Sequence, residues 1–232
     1  MPKPELLTTL LPTPDHPAAA LLTAWLEAAP RFAAFAAANE TKIRKKLRAT
    51  DDETLRDALA ELETAFLLLR DPRFAVAYET FRTTGRGPDL SVTFRQNLPF
   101  TVEVTRLRHS ETGRDVQEKI SDVACAKLHQ FPPGVINLLL VFGAGAGVQP
   151  DAGQAMARLR ERAAAGDDQF FARRAAGTAR AFTRAARRLS GMLIRDTPGG
   201  AFALWENQTA RHHLPDDLRR ALVRAMGPAD VL

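Results

Sequence analysis

The sequence has little cysteine, few aromatic residues other than phenylalanine, and no long apolar run. Cys125 is the only cysteine among 232 residues, which excludes a disulfide framework and a cysteine-based metal site. No apolar segment approaches the roughly 20 residues that a membrane-spanning helix needs. Residues 1–16 are interrupted by prolines and do not have the pattern of a secretory signal. These absences predict a cytoplasmic protein with no membrane partner and a loosely ordered N-terminal lead.

What is present is a globular composition with a small excess of positive charge. Hydrophobic residues make up 45% of the chain and charged residues 25%, so 232 residues are enough for one domain with a sizeable core. The chain has 32 Lys and Arg residues against 27 Asp and Glu residues, which gives a net charge of +5. This balance permits a phosphate-rich partner such as nucleic acid, but it does not require one.

The N-terminal part of the chain has the apolar spacing of helices. An apolar helix with a break at Pro30, followed by a basic helix, is predicted within residues 1–50. Asp51 and Asp52 are suited to cap the next helix. We therefore predict an N-terminal helical extension over residues 1–50 and an α/β domain over residues 51–232.

The remainder of the chain alternates between strand and helix patterns. The unbroken apolar run Val135–Phe142 is typical of a central strand that is covered on both faces. A meander of three strands precedes it, so the fold class predicted is α/β, with a mixed central β-sheet flanked by helices. The predicted strands span residues 74–81, 90–95, 100–107, 135–142, 191–195 and 201–207. The predicted helices of this part span residues 114–130, 151–165, 168–189 and 214–226.

Two acidic residues fall on neighbouring predicted strands. Asp89 opens one strand and Glu103 lies inside the next, among Val, Phe and Thr residues. A carboxylate buried in such surroundings is costly unless a cation or a hydrogen-bond donor meets it. Together the two carboxylates predict a site for a divalent cation such as Mg²⁺. Asp89 could also be only a turn residue, and Glu103 could pair with Arg95, Arg106 or Arg108 across the sheet.

The order of these elements and acids resembles the PD-(D/E)XK nuclease superfamily, which has the restriction-endonuclease-like fold. Pro88 and Asp89 match the PD pair, and Glu103-Val104-Thr105 occupies the position of the E-x-K triplet. The resemblance covers residues 50–145. It implies that Asp89 and Glu103 bind Mg²⁺ or Mn²⁺ and that the protein hydrolyses phosphodiester bonds in DNA.

The family often adds a third acid from the preceding helix. Helical geometry places Glu63 about 80° from the centre of the apolar face and Glu61 about 120° away on the other side. Glu63 is therefore predicted as the third metal ligand.

The sequence departs from the family at the catalytic lysine, because Thr105 stands in its position. The following helix offers a replacement. Lys127 shares an apolar face with Val116, Ile120 and Val123, and is predicted as the catalytic lysine. Lys119 is the second candidate. An alternative is that Lys127 extends its amine to solvent at the end of the helix.

The predicted helix 168–189 carries arginines along one side, opposite its apolar side. Such a row suits the phosphate oxygens of a nucleic-acid backbone, although it could also be an ordinary solvated face. The predicted nucleic-acid-binding residues are Arg173, Arg180, Arg184, Arg187 and Arg188.

Three functional hypotheses follow. The first is a metal-dependent nuclease that acts on DNA or a diverged relative that binds it. The second is a catalytically inactive nuclease-fold scaffold, or a subunit that binds nucleic acid or protein, including a homodimer. The third is a protein-interaction module that does not bind nucleic acid.

Overall fold

The computed structural model describes residues 3–78, 87–107, 116–143, 151–195 and 202–227. Parts of four sequence predictions lie outside these ranges. They are Arg108, the last three residues of the strand predicted at 74–81, the first two residues of the helix predicted at 114–130 and the first residue of the strand predicted at 201–207.

Between residues 3 and 69, all of which the structure describes, the chain forms five helices. They are α1 (Lys3–Leu10), α2 (Ala19–Ala28), α3 (Pro30–Ala38), α4 (Glu40–Leu47) and α5 (Asp52–Leu69). Pro30 separates α2 from α3, as predicted, because its ring fits the first turn of a helix but not the interior. The Asp51 carboxylate accepts a hydrogen bond from the amide of Thr54 and caps α5.

The N-terminal lead is more ordered than the sequence suggested. Leu6 and Leu10, one helical turn apart on α1, are both buried. Pro4 lies in the first turn of this helix, where its missing N–H is tolerated. The prediction of a loosely ordered lead is wrong, because these leucines pack into the same apolar core as α2–α5 and the sheet.

Within the described ranges, six strands form one mixed sheet, in which their order in space follows their order in the sequence. The first three strands are antiparallel, the third to fifth are parallel, and the last pair is antiparallel. The strands are β1 (Phe74–Tyr78), β2 (Leu90–Phe94), β3 (Leu98–Arg106), β4 (Ile136–Phe142), β5 (Gly191–Arg195) and β6 (Phe202–Glu206). The prediction of an α/β fold with a mixed sheet is confirmed. β3 begins two residues earlier than predicted, because a tight turn with Arg95 and Gln96 at positive φ brings Leu98 opposite Phe94.

Helices cover both faces of the sheet, and every residue of β4 is buried. Leu138 and Leu140 of β4 face the core that α5 shares with the C-terminal helix. Leu139 and Val141 face the opposite core. The later helices are α6 (Val116–Lys127), which continues into a 3-10 turn (Leu128–Gln130), α7 (Ala152–Ala164), α8 (Asp168–Ala172), α9 (Ala179–Ala186) and α10 (Asp216–Met226).

The helix predicted over 168–189 is in fact two short helices. Ala175 and Gly177 both adopt positive φ, of 57° and 75°, which ends the helical path. Thr178 then caps α9 by accepting a hydrogen bond from the amide of Ala181. Across the described ranges, no helix combines the length and the apolar character needed to cross a membrane.

Candidate active site

The register between β2 and β3 brings Asp89 to Glu103. Leu90 pairs with Val102, so one further step along the antiparallel pair places Asp89 opposite Glu103. The amide of Val104 donates a hydrogen bond of 2.9 Å to Asp89 Oδ2. Asp89 therefore contacts β3 one residue before β2 begins, through its side chain. Its carboxylate lies beside that of Glu103.

Lys127 reaches Glu103 from the helix above the sheet. Its amine lies 2.5 Å from Glu103 Oε1. The Glu103 side chain is 2% exposed and that of Lys127 is 29% exposed. The lysine that the sequence singled out at the end of α6 therefore contacts the predicted acid, and its role in catalysis remains a prediction. The ion pairs that the sequence left open for Glu103 are not formed with Arg95 or Arg106, which pair with Asp217 and with acids of α5.

Glu61 is the third acid of the site. It lies on α5, and its Oε2 atom is 2.5 Å from the amine of Lys46 on α4. Its pKa is affected by the charges of both Asp89 and Glu103. The Lys46–Glu61 pair therefore lies close enough to the Asp89–Glu103–Lys127 group for their charges to interact. We call these five residues the acid cluster: Lys46, Glu61, Asp89, Glu103 and Lys127.

Burial and mutual repulsion make two of these acids weak. Burial, and then the charge of Asp89, raises the pKa of Glu103 from 4.5 to about 7, while Lys127 opposes the rise. Burial and the charge of Asp89 also raise the pKa of Glu61 to about 7, against the opposing effect of Lys46. Like charges directly opposed on neighbouring strands are destabilising. The arrangement costs free energy of folding, as is common at functional sites.

The structure does not bring Glu63 into the acid cluster. Its carboxylate lies 3.4 Å from Arg195 of β5, whose guanidinium also donates to the backbone carbonyl of Met226. Burial raises the pKa of Glu63, and Arg195 opposes that rise. Glu61 and Glu63 leave α5 in different directions, and Glu61 is the one whose pKa the charge of Asp89 raises. The geometry therefore corrects the choice of the helix acid from Glu63 to Glu61.

One atom of the cluster is chemically suited to a hard cation. Glu103 Oε2 is buried and has no hydrogen-bond partner among the described residues. A buried carboxylate oxygen without a partner is costly, and oxygen ligands of this type bind Mg²⁺ and Mn²⁺. Within the described part of the chain, no three His, Cys, Asp or Glu side chains converge closely enough to hold a metal ion as they stand. The amines of Lys46 and Lys127 instead contact two of the three acids.

A cleft rich in arginine is lined by residues of α7, α8 and α9, including one acid, Asp168. It has a volume of about 520 Å³. Arg180 and Arg184 of α9 line it together with Arg187, which ends that helix, and Arg211. The amide of Arg211 donates a hydrogen bond of 2.8 Å to the carbonyl of Arg187, which fixes this fourth arginine beside the helix. We call these four residues the arginine cleft.

Two of the five predicted arginines stand apart from this cleft. Arg173 ends α8, and the break at Gly177 removes it from the row on α9. Arg188 is half-buried and donates a hydrogen bond of 3.2 Å to the carbonyl of Phe131. The prediction of one continuous row is therefore wrong, because it assumed an unbroken helix.

Sequence reasoning missed two residues that the structure adds to these sites, Lys46 and Arg211. Lys46 was one lysine of a basic helix, and nothing in the local pattern set it apart from its neighbours. Arg211 follows a strand in an irregular connection. Only tertiary packing brings each of them to its site.

Comparison of the chain with protein-family models, with curated proteins and with solved structures finds no significant match.

Proposed function

We propose that this protein is a metal-dependent nuclease, or a nuclease-like protein, that acts on or binds DNA and has a restriction-endonuclease-like fold. The observation that carries the proposal is the Lys127–Glu103 ion pair of 2.5 Å beside Asp89 and Glu61. An acid from each of two adjoining strands, an acid from the preceding helix and a lysine from the following helix form one cluster.

The sheet supports the same proposal. An antiparallel meander, β1 to β3, is followed by helix α6 and by β4, which is parallel to β3. This is the order that the resemblance to the PD-(D/E)XK nucleases implies for residues 50–145. Thr105, in the position of the usual lysine, is half-buried on β3, and Lys127 supplies an amine to Glu103 from outside the strand.

The residues have distinct roles in this proposal. Asp89 and Glu103 would hold Mg²⁺ or Mn²⁺, which would supply positive charge and favour ionisation of a water molecule. Glu61 would add negative charge beside them. Lys127 faces the phosphate and offsets the negative charge that develops there during hydrolysis. The arginine cleft binds the DNA backbone through phosphate contacts, which give affinity without reading the sequence.

A cleavage assay with Mn²⁺ or Mg²⁺ on supercoiled and linear DNA tests the enzymatic part. We expect Glu103→Gln, Asp89→Asn and Lys127→Met each to reduce the cleavage rate by at least about 100-fold, because each removes a ligand or a charge from the reacting centre. Asp217→Asn is the matched control, since this half-buried acid pairs with Arg95 outside the cluster. Lys119→Met is the control on α6 and tests the second lysine candidate.

Cleavage that persists in the Glu103 and Asp89 variants would refute the catalytic assignment. Loss of cleavage in Lys119→Met together with full activity in Lys127→Met would move the lysine role to Lys119.

A second function has one observation in its favour. Two of the three acids of the cluster are paired with Lys46 and Lys127, and Thr105 replaces the usual lysine. A nuclease-fold protein that has lost its metal would bind nucleic acid or a protein partner as a scaffold. Titration with Mn²⁺ by calorimetry separates the two functions. Salt-sensitive DNA binding without any heat from Mn²⁺ would favour the scaffold.

A further inference from the structure

The four side chains of the arginine cleft have no partner within the protein. They are exposed, and none of them forms an ion pair or a hydrogen bond with any residue that the structure describes. Two arginines nearby do have such partners, because Arg162 pairs with Asp167 and Arg174 pairs with Asp122. The guanidinium groups of the cleft therefore keep their donors and their charge available to a ligand.

The charge of the cleft exceeds what its one acid can offset. Asp168 lines the cleft, and its Oδ1 atom accepts a hydrogen bond of 2.8 Å from the amide of Ala179. Among the described residues it forms no ion pair with an arginine of the cleft. Four positive charges less one negative charge leave a net charge of +3 on the lining. A ligand that matches this charge carries more than one negative charge in a small volume.

The arginines come from two segments of the chain and surround one cavity. Arg180, Arg184 and Arg187 follow one another at spacings of four and three residues, which places them on one side of α9. At about 1.5 Å per residue their row is roughly 10 Å long. Arg211 joins them from the connection after β6. The enclosed volume of about 520 Å³ lies within the range of roughly 300–1,000 Å³ that is typical of small-molecule sites.

Hydrogen bonds fix the backbone that carries these arginines. The buried side chain of Asn207 donates to the carbonyls of Ala186 and Leu189 at the end of α9. The amide of Arg211 donates to the carbonyl of Arg187. The backbone of the cleft is therefore in place before a ligand binds, which reduces the conformational entropy lost on binding.

We propose that the arginine cleft binds a phosphate group with more than one negative charge, which is a phosphomonoester or a pyrophosphate chain. A phosphodiester of the DNA backbone carries one negative charge, whereas a phosphomonoester carries about 1.5 to 2 at pH 7. Arginine suits such a group because its planar fork donates two parallel hydrogen bonds to one phosphate. The phosphorylated end of a nucleic-acid strand and a free nucleotide share this chemistry. The site goes beyond the backbone contacts of the proposed function, and it depends on neither the acid cluster nor a metal ion.

Calorimetric titration of the protein with pyrophosphate, in EDTA at pH 7.5, tests this proposal. We expect pyrophosphate to bind at least about tenfold more tightly than dimethyl phosphate, a singly charged diester, because it accepts more charged hydrogen bonds. Arg184→Ala and Arg211→Ala should each weaken pyrophosphate binding about tenfold, since each removes one charged donor. Arg173→Ala is the matched control, because this exposed arginine ends α8 outside the lining of the cleft. Circular dichroism checks that each variant is folded.

A labelled DNA strand with and without a 5′-phosphate distinguishes the two sources of the ligand. If the end of a strand is the ligand, the 5′-phosphate should strengthen binding about tenfold in the wild type and much less in Arg211→Ala. If a free nucleotide is the ligand, a nucleoside diphosphate should bind as tightly as pyrophosphate, and the 5′-phosphate should make no difference to the DNA strand.

Equal affinities for pyrophosphate and dimethyl phosphate would overturn the inference. So would pyrophosphate binding that Arg173→Ala weakens as much as Arg184→Ala and Arg211→Ala do. Either result would leave DNA cleavage and the backbone contacts of the proposed function intact. Glu103→Gln should bind pyrophosphate like the wild type, so a failure of metal-dependent cleavage would not affect this titration.

Discussion

Replacing Glu103 by glutamine should change the pH dependence of stability in a way that the structure specifies. Glu103 is 1% exposed, one of its oxygens is paired with Lys127, and the other has no partner among the described residues. Its pKa is raised to about 7 by burial and by the charge of Asp89. Glutamine has nearly the same shape and cannot ionise, so the substitution isolates the cost of the buried charge.

The direction in which the free energy of unfolding changes with pH depends on whether the folded or the unfolded chain holds the Glu103 proton. Between pH 4.5 and 7 the unfolded chain has released the Glu103 proton, while the folded chain still holds it. Each step up in pH through this window therefore lowers the free energy of unfolding. The rise in pKa from 4.5 to about 7 corresponds to roughly 3 kcal/mol of stability lost by pH 8. Divalent cations should reverse part of this loss, because they favour the ionised acids.

The assay is urea unfolding at pH 5, 6, 7 and 8 in EDTA, followed by the fluorescence of the two tryptophans. We expect Glu103→Gln to gain roughly 3 kcal/mol relative to the wild type between pH 5 and pH 8. Repeating the series with Mn²⁺ at about 100 times its dissociation constant should stabilise the wild type at pH 8 by about 2.7 kcal/mol. The same addition should have much less effect at pH 5, where protons compete for the ligands.

Glu118→Gln is the control, because Glu118 is exposed on the first turn of α6 and faces no acid of the cluster. Its pH profile should run parallel to that of the wild type. If Glu103→Gln also runs parallel to the wild type from pH 5 to pH 8, Glu103 does not carry a buried, repelled charge. The reasoning that links its burial to cation binding would then be wrong.

Three further predictions concern other parts of the molecule. Asn137→Ala should destabilise the protein by about 3 kcal/mol, because this buried amide donates to three backbone carbonyls and accepts from Thr101. Arg195→Met should cost about 3–5 kcal/mol by leaving Glu63 buried and unpaired, and adding Glu63→Leu should recover much of the loss. Replacing Arg184 and Arg187 of the arginine cleft together by alanine should lower the salt slope of DNA binding by about two, with similar losses on unrelated DNA sequences.

Each of these has an outcome that would contradict it. Urea unfolding of Asn137→Ala with an unchanged midpoint would mean that the hydrogen bonds contribute little net stability. An Arg195→Met, Glu63→Leu double variant no more stable than the single variant would show that the loss does not come from the unpaired acid. Unchanged DNA binding after both arginine substitutions, with Arg219→Ala as the surface control, would exclude the cleft from the DNA interface.

Local sequence patterns were sufficient for most of the sheet. Period-two alternation located β2, and the unbroken apolar run marked β4 as central, because a strand covered on both faces has no polar side. The sequence also marked Lys127 as unusual, because a lysine on the apolar face of a helix is rarely buried without an anionic partner. The break between α8 and α9 was missed although Gly177 and the capping Thr178 mark it in the sequence; Ala175, which also adopts a positive φ, carries no such signal.

Helical spacing did not identify which acid of α5, Glu61 or Glu63, lies on the side of Asp89 and Glu103. Both acids flank the apolar face of α5, and helical angles alone favoured Glu63. The deciding facts lie on other elements. Arg195 of β5 lies on one side of the helix and pairs with Glu63. Lys46 of α4 lies on the other side and pairs with Glu61, whose pKa is raised by the charge of Asp89. Helical spacing in the sequence gives the direction in which a side chain leaves the helix, but it does not give the residue that lies there in the folded protein.

The sequence by itself determined the approximate positions of the strands, the central place of β4 and the proximity of Asp89 to Glu103. These features depend on the spacing of apolar residues and on hairpin pairing, which involve only nearby residues along the chain. Tertiary structure decided which charges share a site. Lys46 joins Glu61, Lys127 joins Glu103 and Arg211 joins the end of α9 across separations of 15 residues, 24 residues and two strands. Electrostatic energy depends on distance in space, which only the packed fold defines.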